Sequence, residues 1–421
     1  MFKPLALILD RLITDGTLEV VTHDGSQHTF GNGAPPRVAM RLADSHLERE
    51  LALDPNLAVG EAYADGRLEM LEGRVYDLIE LVLENALQRP LPRWVGAADR
   101  LRYMTRRLAQ YNPAARSRRN VAHHYDIDGT IYDLFLDAER QYSCAYFADP
   151  AMSLDEAQRA KIYHVAAKLD LAEGQRVLDI GSGWGGLALN IARLADCDVH
   201  GVTLSTEQLA HATAWSNRIG LSNRVRFELA DYRTLAGRYD RIVSVGMFEH
   251  VGINHFQAFF DKVMELLDDN GIALIHFIAR TDGPAATNAF IARHIFPGGY
   301  IPALSEVMPA VERSGLMLTD VEVLRLHYAM TLRQWRQRFV SRWDEAARIR
   351  GEHFCRMWEF YLAGSEAAFR YQNLVVMQLQ LTRKVDALPL VRDYIAAREA
   401  GYQTTEPASA IQPHGTVEAA E

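Results

Sequence analysis

From about Ala172 onward the chain repeats one pattern: a short apolar run, a turn, then a longer amphipathic stretch. Arg176–Ile180, 198–204, Val225–Leu229, 240–245 and 272–278 have the length and branched apolar content of buried strands. Between them, helical spacing follows the first run to about Ala195, resumes at Thr206, and returns over 255–267. Strands that are apolar on both faces and alternate with helices require a parallel, doubly wound sheet with helices covering each side. Ligands of such sheets sit beyond the carboxyl ends of the strands.

The turn at the end of the first of these strands reads Asp179-Ile180-Gly181-Ser182-Gly183-Trp184-Gly185-Gly186. Glycines there let backbone pass close to a ligand and turn sharply into a helix. The spacing is not the G-x-G-x-x-G of a dinucleotide site, and the second strand ends in Thr203-Leu204-Ser205 with no acid for ribose hydroxyls. An acid just before G-x-G-x-G suits S-adenosylmethionine, which has no pyrophosphate to hold. The bland alternative is a tight packing turn with no ligand.

The rest of the chain narrows the class. In 421 residues the net charge is −9, which disfavours nucleic-acid binding through a global positive field. The charge is uneven, though. Arg100, Arg102, Arg106, Arg107, Arg116, Arg118 and Arg119 form a strip without acids, suited either to an anionic membrane surface or simply to solvent. Three cysteines (Cys144, Cys197, Cys355) make no disulfide framework and suggest a reducing cytoplasm. No Cys and His cluster has zinc spacing. The apolar run 5–13 is broken by Asp10 and Arg11 and lacks a small-residue cleavage site, and no run approaches the roughly 20 residues of a membrane span. Any membrane contact is therefore expected to be peripheral. Near the N-terminus, 17–22 and 27–30 read as a hairpin about Asp24-Gly25, and 75–87 as a helix.

Several longer motifs carry a resemblance. They are His123-His124-Tyr125-Asp126, Gln141-Tyr142-Ser143-Cys144-Ala145-Tyr146-Phe147, the glycine turn, Val202-Thr203-Leu204-Ser205, Gly246-Met247-Phe248-Glu249-His250-Val251-Gly252 and Ile295-Phe296-Pro297-Gly298-Gly299. In this order they resemble the cyclopropane-fatty-acyl-phospholipid synthases, relatives of the mycolic acid cyclopropane synthases. The resemblance runs from Asn120 to about Lys384, and more loosely through Gly60-Glu61-Ala62-Tyr63-Ala64-Asp65-Gly66. It implies a Rossmann-like class I methyltransferase sheet with a smaller N-terminal α+β domain and helical C-terminal additions. The expected division is a lipid- or membrane-associated domain over 1–110, a linker over 111–122, a catalytic domain over 123–400 and a disordered tail over 401–421. It further implies an unsaturated phospholipid substrate, contact with the inner face of the membrane, and a homodimer.

Residue roles follow from the same resemblance. Tyr142 and Ser143 would close over the methionine part of S-adenosylmethionine, and Asp179, Gly181 and Gly183 would line it. Thr203, Leu204 and Gln208 would hold the adenosine, with Asp231 near the adenine. Cys144, Glu249, His276, the backbone at Ile278, and Tyr328 would hold a bicarbonate ion as base, with His250 behind Glu249. A glycine is expected near Ala279, and this chain lacks it. The chemistry fits these residue types. An alkene is a poor nucleophile and must be aligned with the sulfonium methyl. The cation that follows needs negative or π-rich surroundings and exclusion of water. A base must then remove a proton for the ring to close. Alternatives are an acyl methyltransferase that leaves a methyl or methylene branch, a small-molecule methyltransferase, and a lipid-binding protein with a dead site. Aromatics such as Trp335, Phe339, Trp358 and Tyr361 are divided between core and acyl tunnel in a way the sequence leaves open.

Overall fold

The computed structural model describes residues 1–88, 96–110 and 129–405. Arg116, Arg118, Arg119, the 123–126 motif and the tail after 405 lie outside the described residues. The chain forms two compact units, one of residues 1–110, 284–299 and 328–374, the other of 111–283, 300–327 and 375–421.

The first unit is built on a four-stranded sheet of order β2-β1-β3-β4. β1 (Thr17–Val21) and β2 (Gln27–Gly31) are antiparallel, β3 (Arg37–Leu42) runs parallel to β1, and β4 (Leu68–Glu72) is antiparallel to β3. The hairpin turn is fixed by Asp24, whose carboxylate accepts from Thr22 Oγ1 at 2.6 Å and Ser26 N at 3.0 Å, while Gly25 takes φ +83°. Leu18, Val20, Val38, Met40 and Leu42 pack against Leu5, Ile8 and Leu9 of the helix Lys3–Leu12 and Leu47 and Leu51 of Ser45–Leu53.

Part of the span expected as the 123–400 catalytic domain packs with the N-terminal residues. The helix Glu352–Tyr371 belongs with the N-terminal residues, where it packs on Pro55–Ala64 and Val75–Gln88. Its small Ala363 and Ala367 let Val75 and Tyr76 approach, and Tyr63 donates to Glu359 at 2.6 Å. Tyr371 donates to Glu80 at 2.8 Å, and Arg336 donates to Glu366 at 2.9 Å while lying over the Tyr76 ring. Tyr394–Thr405 is helical, running into the first residues of the expected tail, with Ile395 and Tyr402 buried in the core of the second unit.

That second unit contains a seven-stranded sheet of order β10-β11-β9-β8-β5-β6-β7. Its strands are β5 (Arg176–Ile180), β6 (Asp198–Thr203), β7 (Val225–Leu229), β8 (Tyr239–Val245), β9 (Leu267–Arg280), β10 (Met317–Leu324) and β11 (Leu374–Thr382). β7, β6, β5, β8 and β9 pair in parallel, whereas β10 and β11 pair antiparallel. This is the class I methyltransferase fold. Alternate residues serve opposite faces. Leu178, Ile242 and Ile275 join a core with Phe256, Phe259 and Phe260, and Val177, Val243 and Leu274 join another with Ile162, Val165 and Leu189. β5 has β6 on one side and β8 on the other, and the chain leaves in opposite directions from this point, which opens a crevice at the strands' carboxyl ends.

Candidate active site

A cavity occupies that crevice. Tyr142, Ser143, Asp179, Gly181, Gly183, Thr203, Leu204, Gln208 and Asp231 all line it, together with Trp184, Tyr232, Met247 and His250. The glycines of the turn divide by function. A Cβ on Gly181 (φ +87°) would lie 2.8 Å from Met247 Cβ, and one on Gly185 (φ +94°) 2.8 Å from Ala212 Cβ, so both permit close packing. A Cβ on Gly183 (φ +53°) would meet nothing within 4 Å, although Gly183 lines the cavity. Its bareness leaves space open.

The floor of the cavity is polar. Asp179 is 1% exposed and its Oδ2 has no hydrogen-bond partner among the described residues. Burial pushes its carboxyl up to about 7, with Lys161 acting in the opposite direction. Thr203 donates to Gln208 Oε1 at 2.8 Å, and Ser205 caps the helix Thr206–Arg218 through Gln208 N, which fixes Gln208 at the rim. Asp231 binds Arg233 through both carboxylate oxygens and caps the following turn through Arg233 N. Tyr142 packs edge-on against Tyr132, ring centres 5.3 Å apart.

Of the residues expected to hold an anion, Glu249, His276 and Ile278 fall toward the ends of β8 and β9. Glu249 follows β8 in a short 3₁₀ turn, is 9% exposed, and accepts from Ile278 N at 2.7 Å through Oε1. Its Oε2 is buried without a hydrogen-bond partner among the described residues. Burial pushes the carboxyl up to about 7, and the Ile278 N–H pulls the other way. The Glu249 carbonyl accepts from Tyr300 N at 2.9 Å, which ties the turn down. His276 is fully buried on β9 with Nδ1 3.1 Å from Gln378 Nε2, and burial holds its pKa well below the ordinary imidazole value. With the Gln378 amide donating to Nδ1, the neutral ring carries its proton on Nε2. Burial also drives His250 down to about 4. Cys144 is buried, its Sγ 3.3 Å from the Ala145 carbonyl. Ala279, where a glycine was expected, is fully buried. Tyr328 belongs to the other unit, at the start of His327–Ser341 against Trp335 and Phe369.

Sequence reasoning missed Lys161. It lies on the helix Leu154–Lys168, which starts at a capping box between Ser153 and Glu156, and it is 0% exposed. Its ammonium donates to Gln141 Oε1 and, at 3.0 Å, to Ser143 Oγ. The available signal was its place on a helical stripe with the apolar Leu154 and Val165.

The sequence profile described as mycolic acid cyclopropane synthetase matches residues 113–379 of this chain. The chain belongs to that family. A separate profile, a domain of unknown function, matches residues 7–88. The cyclopropane-fatty-acyl-phospholipid synthase of Escherichia coli is 36% identical, over 84% of this chain and 90% of that protein. A probable fatty acid methyltransferase of Pseudomonas putida is also 36% identical, over 82% and 86% of the two chains. Among solved structures, mycolic acid cyclopropane synthase CmaA1 complexed with SAH and CTAB superposes with a TM-score of 0.61 at 32% identity, covering 65% of this chain and 99% of that one. This family member is an S-adenosylmethionine-dependent methyltransferase of the cyclopropane synthase class.

Proposed function

We propose that this enzyme converts the cis double bond of a phospholipid acyl chain to a cyclopropane, with S-adenosylmethionine bound in the cavity beside Gly183. The observation that carries the ring-forming reading is the Glu249 carboxylate, buried with one oxygen on the Ile278 N–H and the other unpartnered. A buried polar atom without a partner is costly and needs a reason. A bicarbonate ion suits these groups, since it can donate to Glu249 Oε2 and accept from the neutral His276; Cys144 joins the set by resemblance. Bound there, bicarbonate would supply the base for ring closure. Glu249 would orient that ion and hold its proton, and Ile278 would fix Glu249. Phe248 and Phe277, the neighbours of Glu249 and His276 in sequence, are buried with their rings packed together, centres 5.0 Å apart.

The second reading is an acyl methyltransferase that leaves a methyl or methylene branch, which the Pseudomonas putida relative favours. Acyl-chain mass spectrometry after incubation with an unsaturated phospholipid separates the two. The expected product is one CH₂ heavier than its substrate, carries a saturated ring, and forms faster when bicarbonate is restored to stripped buffer. A product with only a methylene branch rejects the ring assignment.

Access to such a substrate calls for a membrane surface. Among the described residues no helix is long and apolar enough to cross one. The helix Ala97–Ala109 instead carries Arg100, Arg106 and Arg107 alongside Leu101 and a Met104 that is 78% exposed. Basic and apolar groups exposed together suit an anionic interface. Charge reversal at Arg106, Arg107, Arg116 and Arg118 is expected to weaken sedimentation with phosphatidylglycerol vesicles, by about 1 kcal/mol per charge. Added salt should mimic it. Unchanged sedimentation of the quadruple variant rejects this surface.

A further inference from the structure

We propose that Lys161 is a positioning residue for the cofactor cavity: its buried ammonium holds the 141–143 segment in place and sets a positive charge among the acids around it. This inference rests on the reading of the cavity as the S-adenosylmethionine site.

The geometry has three parts. Lys161 is the donor that fixes two neighbours at once, Gln141 and Ser143, and Ser143 lines the cavity. Gln158, one turn earlier on the same helix, donates to the Ser143 carbonyl at 2.9 Å, so side chain and backbone of the segment are both held from this helix. Asp137 organises the approach to that segment, accepting from Glu139 N at 3.0 Å and Gln141 N at 2.9 Å.

The charges around Lys161 explain why a lysine stands there. Asp137, Cys144, Glu139 and Asp179 all favour its charged form, while burial opposes it and brings its pKa down to about 8. In return, Lys161 favours the ionised forms of Asp137, Glu139 and Asp179, and it opposes protonation of His276. Glutamine or methionine would fill much of that space without the charge. A buried cation removed from such a group leaves acids that take up protons instead.

The test is titration calorimetry with S-adenosylhomocysteine from pH 7 to 9, on wild type, Lys161→Met and Lys161→Arg, each checked for folding by thermal melting. At pH 7, Lys161→Met is expected to bind at least about tenfold more weakly. The steady-state loss should fall on KM for S-adenosylmethionine, with kcat changed less than about threefold. Lys161→Arg should restore most of the affinity at pH 7. Charged lysine is lost as pH rises through about 8, so wild-type affinity should fall relative to Lys161→Arg, whose guanidinium stays charged. The comparison between variants cancels titration of the ligand itself. Lys161→Met with wild-type affinity, or wild-type and Lys161→Arg profiles that superimpose, overturns the inference. If neither variant folds, a wild-type affinity constant from pH 7 to 9 overturns it. A wild-type protein that binds no S-adenosylhomocysteine overturns the cavity assignment and this inference with it.

Discussion

Gly183→Val is expected to abolish S-adenosylhomocysteine binding in calorimetry while leaving a cooperative thermal transition. The two effects separate because of where a side chain would go. A Cβ at Gly183 meets nothing within 4 Å, so no packed neighbour has to move, yet the position lines the cavity. Backbone strain is the main cost to the fold, since φ is +53° and β-branched residues seldom adopt that region. Left-handed backbone costs roughly 1–2 kcal/mol at one residue, a few degrees in Tm for a chain of this size. The ligand loses more, because valine would occupy its space. A loss of at least about a hundredfold, about 2.7 kcal/mol, is the expected result. Gly185→Val is the control. Its side chain would drive into Ala212 and Phe227, so it should damage stability before binding can be asked about. A folded Gly183→Val with wild-type affinity would place the cofactor elsewhere.

What the sequence made legible follows from burial. β5 to β9 stand out because both faces are covered, so Val177 and Leu178, or Leu274 and Ile275, are apolar in succession. The glycine turn stands out because its composition is dictated by backbone geometry. β10 and β11 do not stand out. β10 alternates apolar and polar residues on an edge, and β11 buries Gln378 and Gln380, which read as solvent-facing until His276 and Lys168 are seen to bond to them. The helices over 328–371 fall inside the span that resembles the family, yet they also pack with the N-terminal residues. Contacts such as Tyr63 to Glu359 join residues far apart in the chain and leave no local trace. Lys161 shows the same limit at the site. Its position on a helical stripe was visible, but a lysine's meaning there depends on Asp137, Glu139 and Asp179, which only the fold gathers. The approach of Glu249 to Ile278 N was foreseeable in outline, from strand ends in one crevice. The unpartnered oxygen was not.

Glu249→Gln tests that oxygen most directly. Glutamine keeps the shape, and its carbonyl can still accept from Ile278 N, so the fold and the cofactor cavity should persist. What disappears is the ability to take a proton. Ring formation is expected to fall by about 10²–10⁴-fold, the usual cost of losing a positioned proton acceptor. S-adenosylhomocysteine affinity should change little, and some methyl- or methylene-branched product should appear, because a cation that cannot close must lose a proton elsewhere. The pH dependence provides an independent check. Burial raises the Glu249 carboxyl to about 7, so wild-type ring formation should rise as pH increases through 7, when the carboxylate forms. Stability should move the opposite way. Between the ordinary carboxyl range and about 7 the folded state holds a proton that the unfolded chain has released, so this group's contribution is present at low pH and lost as pH rises through about 7. Glu249→Gln should flatten both profiles, measured as cyclopropane yield by mass spectrometry and as Tm across pH 4 to 8. Cyclopropane formed at the wild-type rate by the glutamine variant would remove Glu249 from the proton path, and an unchanged slope of Tm would show that its carboxyl is ionised throughout.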